Sequence, residues 1–315
     1  MGNVIDAFLF QPPEPSRLKK SKIFWLDTST GTRIPAFHIE YGCEGRKRYP
    51  PRVSNSTTPI TLLYSHANAE DLGCIYPWCK YLSKHLGVNV LAYDYTGYGL
   101  AMEEGPATEE QCYADIDAAY AYLRRTLQIP ASQIVLYGRS VGTGPSCYLA
   151  CRTSESSKED TIGGLILHAP FLSIYRIIFE SGCTLVGDRF PNCDFIAAVE
   201  APILLIHGKK DKVIPIAHSE ALYQTIQRKY RAPPLFVDRM GHNNVQLSMR
   251  HLFLNHLNAY MERYIRSNCP NSYTKPVPRI LQQPKKQQQG YVPDLCAQSS
   301  SFSVSSRSSQ YSSAC

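Results

Sequence analysis

Long apolar runs are missing from this sequence. Hydrophobic residues make up 43% of its 315 residues, yet no stretch approaches the roughly 18 consecutive apolar residues that a membrane-spanning helix needs. Residues 1–6 also lack the basic start and the apolar core of a secretory signal. The sequence therefore predicts neither a transmembrane helix nor a secreted protein, and a cytoplasmic location is expected.

The cysteines lack the arrangement of a disulfide framework or a zinc site. Their number, 11, is odd, and they are scattered along the chain. Cys74 and Cys79 are close in sequence, but their spacing is not that of zinc ligands, and no matching second pair exists. Free thiols in a reducing compartment fit better than disulfides. We predict no metal site and no cofactor.

The sequence has an excess of positive charge but no recognised nucleic-acid-binding module. The net charge is +7, with small basic clusters at residues 17–22 and 46–48. A solvated basic surface is the favoured interpretation. The alternative is peripheral contact with an anionic membrane on the cytoplasmic side. No recognised module accompanies the charge, so no nucleic-acid partner is predicted.

A nucleophile motif is the most informative feature that the sequence does contain. After the apolar stretch 134–137, Ser140 stands between Gly138 and Gly142, and a helix is expected over 146–152. This is the G-x-S-x-G pattern in the strand–turn–helix setting that it requires. The serine must occupy a strained turn to project above the sheet, and only glycine is comfortable two residues before and after it.

The sequence also offers an acid and a base. The apolar run 202–208 is typical of a buried strand, and Asp211 lies just after it. His242 follows the short strand predicted over 235–238. The order Ser140, Asp211, His242 is the order of the α/β-hydrolases. All three are expected in loops at the carboxyl ends of strands, where open α/β sheets place their sites.

Other residues compete for these roles. Asp188 and Asp194 lie after the preceding strand and are the main alternatives to Asp211 as the acid. His218, on a predicted helix, is the alternative to His242 as the base. Asp94 is interpreted as a carboxylate that stabilises its own turn. Three further histidines follow apolar strands and are interpreted as structural polar groups near the site: His66, His168 and His207.

Two backbone N–H groups are expected to form an oxyanion hole. Hydrolysis of an acyl bond builds negative charge on the carbonyl oxygen, and fixed N–H donors usually meet it. One donor should be Val141, the residue after the nucleophile, at a helix N-terminus. The other should come from the loop after the third strand, residues 65–69, where Asn68 is the candidate.

Strands alternate with helices along the chain, which predicts an α/β fold. The expected architecture is that of the α/β-hydrolases: a mostly parallel central sheet with helices on both faces. Residues 171–200, between strands 6 and 7, are short and apolar, and predict a small cap with an open acyl groove. The predicted strands are 23–27, 33–40, 60–64, 88–93, 134–137, 162–167, 202–208 and 235–238. The predicted helices are 71–86, 108–127, 146–152 and 245–266.

The composition divides the chain into three parts. Residues 1–20 contain several prolines and predict an extended lead-in. Residues 21–266 carry the hydrolase pattern, with the core starting near Lys22. Residues 267–315 are rich in serine and glutamine and have too little apolar surface to offset the entropy of ordering, so a disordered tail is expected.

Several segments together resemble the alpha/beta hydrolase domain-containing protein 17 family, serine hydrolases that remove palmitate from cytoplasmic proteins. The resemblance covers roughly residues 8–265 and implies Ser140 as nucleophile, Asp211 as acid and His242 as base. The segments that carry it are 63–73, 93–99, 136–145, 206–211 and 241–243.

The chain departs from the family at its N-terminus. Many members carry an N-terminal cysteine cluster that is palmitoylated and holds the enzyme on membranes, whereas the first cysteine here is Cys43. Gly2 is a poor match to a myristoylation site, because position 6 is Asp6 rather than Ser or Thr.

The leading hypothesis is a serine hydrolase that cleaves acyl-thioesters, with an S-acylated protein as substrate. One alternative is a small-molecule carboxylesterase or lipase that uses the same three residues on an acyl ester. Another is a hydrolase-fold scaffold that binds a partner without turnover.

Overall fold

The computed structural model describes five stretches of the chain: 9–16, 18–42, 60–178, 186–244 and 249–268. The chain divides into two units, Met1–Ile280 and Leu281–Cys315, and every described residue lies in the first. The predicted tail lies outside the described residues, except for its first two positions.

Eight described strands form one mostly parallel sheet, as predicted. Their order across the sheet is β1-β2-β4-β3-β5-β6-β7-β8. The β1–β2 and β2–β4 pairs are antiparallel, and every pair from β4 to β8 is parallel. The strands are β1 Phe24–Asp27, β2 Arg33–Ile39, β3 Thr61–Ser65, β4 Asn89–Tyr93, β5 Ile134–Arg139, β6 Gly164–His168, β7 Ile203–Gly208 and β8 Leu235–Val237.

Helices cover both faces of the sheet. They are α1 Leu72–Leu86, α2 Glu109–Ala121, α3 Thr143–Ser156, α4 Ile174–Ile178, α5 Asn192–Ala198, α6 Ile216–Thr225 and α7 Arg250–Tyr260. Wider π-helical turns extend α2 over Tyr122–Thr126 and α7 over Met261–Ile265. No helix in the described stretches is both long and apolar enough to cross a membrane.

Alternation along the inner strands explains why the sheet is buried on both sides. In β3, Leu63 joins the core cluster under α2 and α3, while Leu62 joins the cluster under α1 and α7. Leu205 and Leu204 of β7 divide in the same way. Side chains of a strand alternate between faces, so a continuous apolar run can fill two cores at once.

The observed elements match the predicted ones closely, and two differences have a local cause. Each strand boundary falls within two residues of its prediction. The helix expected from residue 146 begins at Thr143, because the nucleophile turn Ser140–Gly142 leads directly into it. The last helix begins at Arg250 rather than near 245, and Met249 before it is not helical; residues 245–248 lie outside the described part.

The lead-in contributes to the core, so the expectation that the core starts near Lys22 was wrong. Phe10 is buried, and its ring packs edge-on against Tyr98 and Phe190. Further along, Ser16 donates hydrogen bonds from its backbone N–H, at 2.6 Å, and from its hydroxyl to Asp71, which caps the N-terminus of α1. The segment is therefore fastened to the domain at two points.

Candidate active site

The nucleophile turn has the strained geometry that its sequence predicts. Ser140 adopts a φ of 52°, in the left-handed region that a non-glycine residue rarely occupies. The hydroxyl of Thr143 donates a 2.6 Å hydrogen bond to the Ser140 carbonyl oxygen and so helps to hold the turn. Ser140 directly follows β5, at the carboxyl edge of the parallel sheet.

Both glycines of the motif are required by close backbone contacts. A Cβ added to Gly138 would lie 2.4 Å from the carbonyl oxygen of Gly142. A Cβ added to Gly142 would lie 2.2 Å from the carbonyl oxygen of Ser65 and 2.7 Å from that of His66. The second contact shows that the loop after β3 packs directly against the nucleophile turn.

The structure brings the three residues predicted for catalysis into one hydrogen-bonded chain. His242 Nε2 lies 3.0 Å from Ser140 Oγ, and His242 Nδ1 lies 2.6 Å from Asp211 Oδ2. The first and last of them are separated in sequence by about a hundred positions, and only the fold makes them neighbours. The Ser–His–Asp order of contacts is that of a base-activated nucleophile whose base is oriented by a carboxylate.

The surroundings of Asp211 favour its ionised form. Burial would raise the pKa of this carboxyl, but hydrogen bonds from His207 and His242, together with the backbone N–H of Ile214, hold the pKa well below its usual range. Its Oδ1 accepts from the N–H groups of Val213 at 2.8 Å and Ile214 at 2.9 Å. Asp211 is therefore a fixed negative charge facing His242.

The alternative acid and base candidates lie elsewhere in the structure and have other contacts. Asp188 Oδ1 accepts hydrogen bonds, each 2.8 Å long, from the backbone N–H groups of Tyr175 and Arg189 in the cap. Asp194 lies in the first turn of α5. His218 Nδ1 accepts from the N–H of Leu172 at 3.2 Å. The geometry favours Asp211 and His242 over these alternatives.

Three further histidines are buried beside the site, as predicted. His207 Nδ1 contacts Ser219 Oγ at 2.6 Å, and its Nε2 lies 3.2 Å from Asp211 Oδ2. His207 therefore contacts the same carboxylate oxygen as His242. His168 lies 3.1 Å from the hydroxyl of Tyr137, and burial holds the pKa of its ring well below the usual range. His66 Nδ1 lies 2.8 Å from the carbonyl oxygen of Ala67.

Asp94 has a different role from the predicted one. It accepts a 2.8 Å hydrogen bond from the backbone N–H of Leu72, in the first turn of α1, and faces His66 Nε2 at 3.4 Å. A Cβ on Gly99 would lie 2.2 Å from its Oδ2. Asp94 therefore joins α1 to the loops at the carboxyl edge rather than stabilising only its own turn.

The two residues predicted to donate to an oxyanion lie on the two loops that meet at Gly142. Val141 is buried at the start of the turn that leads into α3. The side chain of Asn68 holds the lead-in: its Nδ2 donates to the Leu9 carbonyl at 2.7 Å, and its Oδ1 accepts from the Gln11 N–H at 2.9 Å and from the Tyr98 hydroxyl. The side chain of Asn68 is thus occupied by the lead-in, which restricts any oxyanion role to its backbone.

A buried ion pair beneath the site was not anticipated from the sequence. Arg139 pairs through Nη1 with Glu70, and its Nη2 donates a 2.9 Å hydrogen bond to Asn243 Oδ1. Glu70 also accepts from the backbone N–H of Ala67 at 3.0 Å. The signal available in the sequence was a charged residue inside the motif, directly after an apolar strand and Gly138.

Several apolar side chains described in the cap are buried, and the open groove stays a prediction because residues 179–185 lie outside the described part. Phe171, Phe190 and Ile174 are buried in the core, and Phe190 packs so tightly on α3 that a Cβ on Gly144 would lie 2.3 Å from its ring. Leu172 and Ile177 remain partly exposed. The buried side chains therefore fasten the described part of the cap to the domain.

No group of three histidine, cysteine, aspartate or glutamate side chains in the described part could hold a metal ion. The six cysteines described there are in the reduced, thiol form. The side chains that meet at this site are a serine hydroxyl, an imidazole and a buried carboxylate.

Comparisons with known proteins agree with the observed fold. A family model described as Phospholipase/Carboxylesterase matches residues 106–260. The structure resembles Pyrococcus furiosus esterase Pf2001, with a TM-score of 0.60 at 16% identity over 81% of this chain and 99% of that one. It also resembles Est1E from Butyrivibrio proteoclasticus, with a TM-score of 0.57 at 17% identity over 78% and 99% of the two chains. These likenesses establish the α/β-hydrolase fold.

Relatives in sequence are closer. The chain is 36% identical over 230 residues to alpha/beta hydrolase domain-containing protein 17B of Homo sapiens, covering 73% of this chain and 72% of that protein. It is 37% identical over 252 residues to protein 17C of Mus musculus, covering 80% and 69%. It is 39% identical over 263 residues to alpha/beta hydrolase domain-containing protein aho-3 of Caenorhabditis elegans, covering 80% and 76%. The chain therefore belongs to the alpha/beta hydrolase domain-containing protein 17 family.

Proposed function

We propose that this protein is a serine hydrolase of acyl-thioesters and removes palmitate from S-acylated proteins. The observation that carries the hydrolase assignment is the continuous contact from Ser140 Oγ through His242 to Asp211, with distances of 3.0 and 2.6 Å. A serine hydroxyl is a weak nucleophile unless a base takes its proton. The contact supplies that base and a carboxylate that orients it.

In the proposed acylation step, Ser140 Oγ attacks the acyl carbon while His242 Nε2 takes the serine proton. Asp211 stays ionised and stabilises the imidazolium that forms. The backbone N–H groups of Val141 and Asn68 receive the negative charge on the carbonyl oxygen. The carbon–sulfur bond then breaks, and the cysteine sulfur leaves with the proton from His242.

Water completes the cycle. His242 takes a proton from a water molecule, whose oxygen attacks the acyl carbon of the Ser140 ester. The ester bond breaks, the serine recovers its proton from His242, and the fatty acid departs. The same three side chains serve both halves of the reaction, so the proposal needs no cofactor.

The thioester and palmitate parts of the proposal are supported by the family resemblance. The segments that carry it, including 136–145 around Ser140 and 63–73, resemble those of a family of palmitoyl-protein hydrolases. The partly exposed Leu172 and Ile177 of the cap offer apolar contact for a lipid chain.

A second candidate is a carboxylesterase that acts on small acyl esters. The match of residues 106–260 to the Phospholipase/Carboxylesterase description favours it. Both candidates use the same three residues, so they differ only in the leaving group and in the acyl chain that the surroundings accept.

A substrate panel tests the proposal. The purified protein is given S-palmitoyl and S-acetyl peptides beside long- and short-chain p-nitrophenyl esters, with Ser140→Ala as the control. We expect the highest kcat/KM for the S-palmitoyl peptide and no turnover by the folded variant. Preference for short-chain esters would favour the carboxylesterase, whereas turnover by Ser140→Ala would overturn the mechanism.

Peripheral contact with anionic membranes is proposed as a minor mode of attachment. Lys19 and Lys20, at the end of the lead-in, are exposed, and Lys22 is partly exposed. Attraction of surface lysines to an anionic membrane is screened by salt. Fractionation of wild type and Gly2→Ala at low and high salt tests this. We expect a small bound fraction that high salt releases; tight binding that resists salt would indicate a lipid anchor instead.

A further inference from the structure

Arg139 occupies a position at which three loops of the site meet. It directly precedes Ser140, and its guanidinium contacts Asn243, which directly follows His242. Its other terminal nitrogen pairs with Glu70, two residues after Asn68. Each partner of this one side chain is thus within two positions of a group that the proposed reaction uses.

We propose that Arg139 is a positioning residue, whose buried guanidinium fixes the positions of the nucleophile, the base and the oxyanion loop relative to one another. The inference rests on the proposed function, because it assigns Ser140, His242 and Asn68 the roles given above. The new element is that one side chain, Arg139, aligns these groups through its contacts with Glu70 and Asn243, so that each loop does not hold its position alone.

The geometry of the contacts favours alignment over simple charge pairing. Nη1 and Nη2 take different partners on different loops, and the rigid planar fork fixes the directions of both contacts, whereas the rotatable donors of a single ammonium would not. Glu70 in turn uses its two oxygens separately: Oε1 meets Arg139, and Oε2 accepts from the N–H of Ala67. The Glu70 carboxylate therefore bonds to the backbone of the loop that carries Asn68 and also holds this loop against the Arg139 guanidinium.

Burial makes the pair stiff but not strongly stabilising. The Arg139 and Glu70 side chains are 5% and 18% exposed. Burial lowers the pKa of Arg139 and raises that of Glu70, but the charge of each partner outweighs this effect, so both remain ionised. Desolvation offsets much of the attraction in such pairs. The Arg139 Nε is also buried and unpaired in the described part. An arrangement selected for stability alone would not need these costs.

Five variants test the inference. Arg139→Gln removes the bridge, Arg139→Lys keeps the charge without the fork, and Asn243→Ala cuts only the contact to the histidine loop. The double variant Glu70→Gln with Arg139→Gln removes both buried charges. Arg152→Gln, which breaks the exposed pair with Asp117, is the matched control. Melting temperature, kcat and KM on the panel substrates, and the rate of fluorophosphonate labelling of Ser140 are measured for each.

Misplacement of reacting groups by about 1 Å costs on the order of 100-fold in rate. We expect Arg139→Gln to lower kcat and the labelling rate by about 10- to 100-fold with KM changed less than about twofold, as for loss of an interaction used in the transition state. Asn243→Ala should slow both without lowering the melting temperature, and Arg139→Lys should be intermediate. The double variant should regain thermal stability relative to Arg139→Gln but not the rate, and Arg152→Gln should match wild type.

Wild-type rates in both Asn243→Ala and Arg139→Gln would overturn the inference. Recovery of rate together with stability in the double variant would also overturn it, since the role would then be structural only. The labelling assay separates this inference from the proposed substrate. A wild type that labels at Ser140 but hydrolyses no acyl-thioester refutes the substrate class while leaving the positioning test intact. A wild type that does not label refutes both.

Discussion

At the scale of single residues, the site depends on a few groups held in costly states. Ser140 occupies a left-handed backbone conformation at a φ of 52°, which costs about 1–3 kcal/mol for a residue with a Cβ. Asp211 is buried yet ionised. Both states persist because neighbouring groups impose them: the Thr143 hydroxyl on the first, and two histidines with two backbone N–H groups on the second.

Replacement of the Asp211 carboxylate by an amide should slow the proposed acylation step. Asp211→Asn cannot stabilise the imidazolium and presents the wrong hydrogen-bonding partner to His242, so we expect acylation to slow by on the order of 10³- to 10⁴-fold. Pre-steady-state kinetics measure that step. Asp188→Asn and Asp194→Asn serve as comparisons; if either is crippled while Asp211→Asn is not, the acid has been assigned wrongly.

A methyl group added at Gly142 should damage the site through the backbone. The new Cβ would meet the carbonyl oxygens of Ser65 and His66 at 2.2 and 2.7 Å, and backbone atoms have little freedom to yield. We expect Gly142→Ala to lower the free energy of unfolding by about 2 kcal/mol, and to slow fluorophosphonate labelling by displacing the loop after β3.

Gly241→Ala is the matched comparison for that substitution. It also lies in a site loop, beside His242, but its added Cβ would find its nearest neighbour, the Lys210 carbonyl oxygen, at 3.5 Å. Denaturant unfolding and labelling rates should therefore stay close to wild type. Equal damage from both alanines would mean that the Gly142 contact is not the cause.

At the scale of elements, the loop after β4 is fastened to α2 by a buried carboxylate. Asp115 accepts hydrogen bonds from the backbone N–H of Thr96 at 2.7 Å and from its hydroxyl at 2.9 Å. Burial raises the pKa of Asp115 to about 7, although the bonds from Thr96 oppose this. The attachment is therefore expected to depend on pH near neutrality.

The sign of that dependence follows from the raised pKa. Between about pH 4, the ordinary value for aspartate, and about pH 7, the folded state keeps a proton that the unfolded state has lost. The contribution of Asp115 to stability is thus full below pH 4 and falls by up to about 1.4 kcal/mol per pH unit as pH rises to 7.

An Asp115→Asn substitution should remove this slope and make the protein more stable at pH 7. Urea unfolding of wild type and variant from pH 4 to 8 measures it. The exposed Asp27→Asn should leave the slope unchanged. A slope equally steep in Asp115→Asn would show that another group causes it.

At the scale of the whole molecule, α7, the last helix of the described part, packs on one face of the sheet. Phe253, Leu254 and Leu257 of α7 are buried against the sheet. Arg266, beyond the end of α7, donates to the carbonyl oxygen of Leu86, the last residue of α1. A cation at that position suits the negative end of a helix.

These contacts predict where the chain can be shortened. Truncation after Asn268 keeps Arg266 and removes only the serine- and glutamine-rich segment, so we expect the melting temperature and the hydrolysis of soluble substrates to be unchanged. Truncation after Ile265 should lower the melting temperature, because α1 loses its C-terminal contact. Loss of activity in the longer of the two proteins would give the tail a role that its composition does not indicate.

Local pattern was enough to predict much of this protein. Strand and helix positions followed from apolar runs and caps, because a strand buried on both faces has to be apolar along its whole length. The strained turn at Ser140 followed from the serine and its glycines, since the steric demands of that turn are met within five residues. The order of Ser140, Asp211 and His242 along the chain, each after a strand, indicated the carboxyl edge of the sheet as the candidate site.

Only the tertiary structure decided the rest. Contacts between segments far apart in sequence leave no periodic trace, so the burial of Phe10, the hold of Asn68 on the lead-in and the packing of Phe190 into the core were not predictable. The same applies to Arg139, whose partners Glu70 and Asn243 lie on loops that the sheet brings together. Sequence determined which groups exist and which strand ends carry them; folding decided which of them touch, because contact depends on the register of the whole sheet.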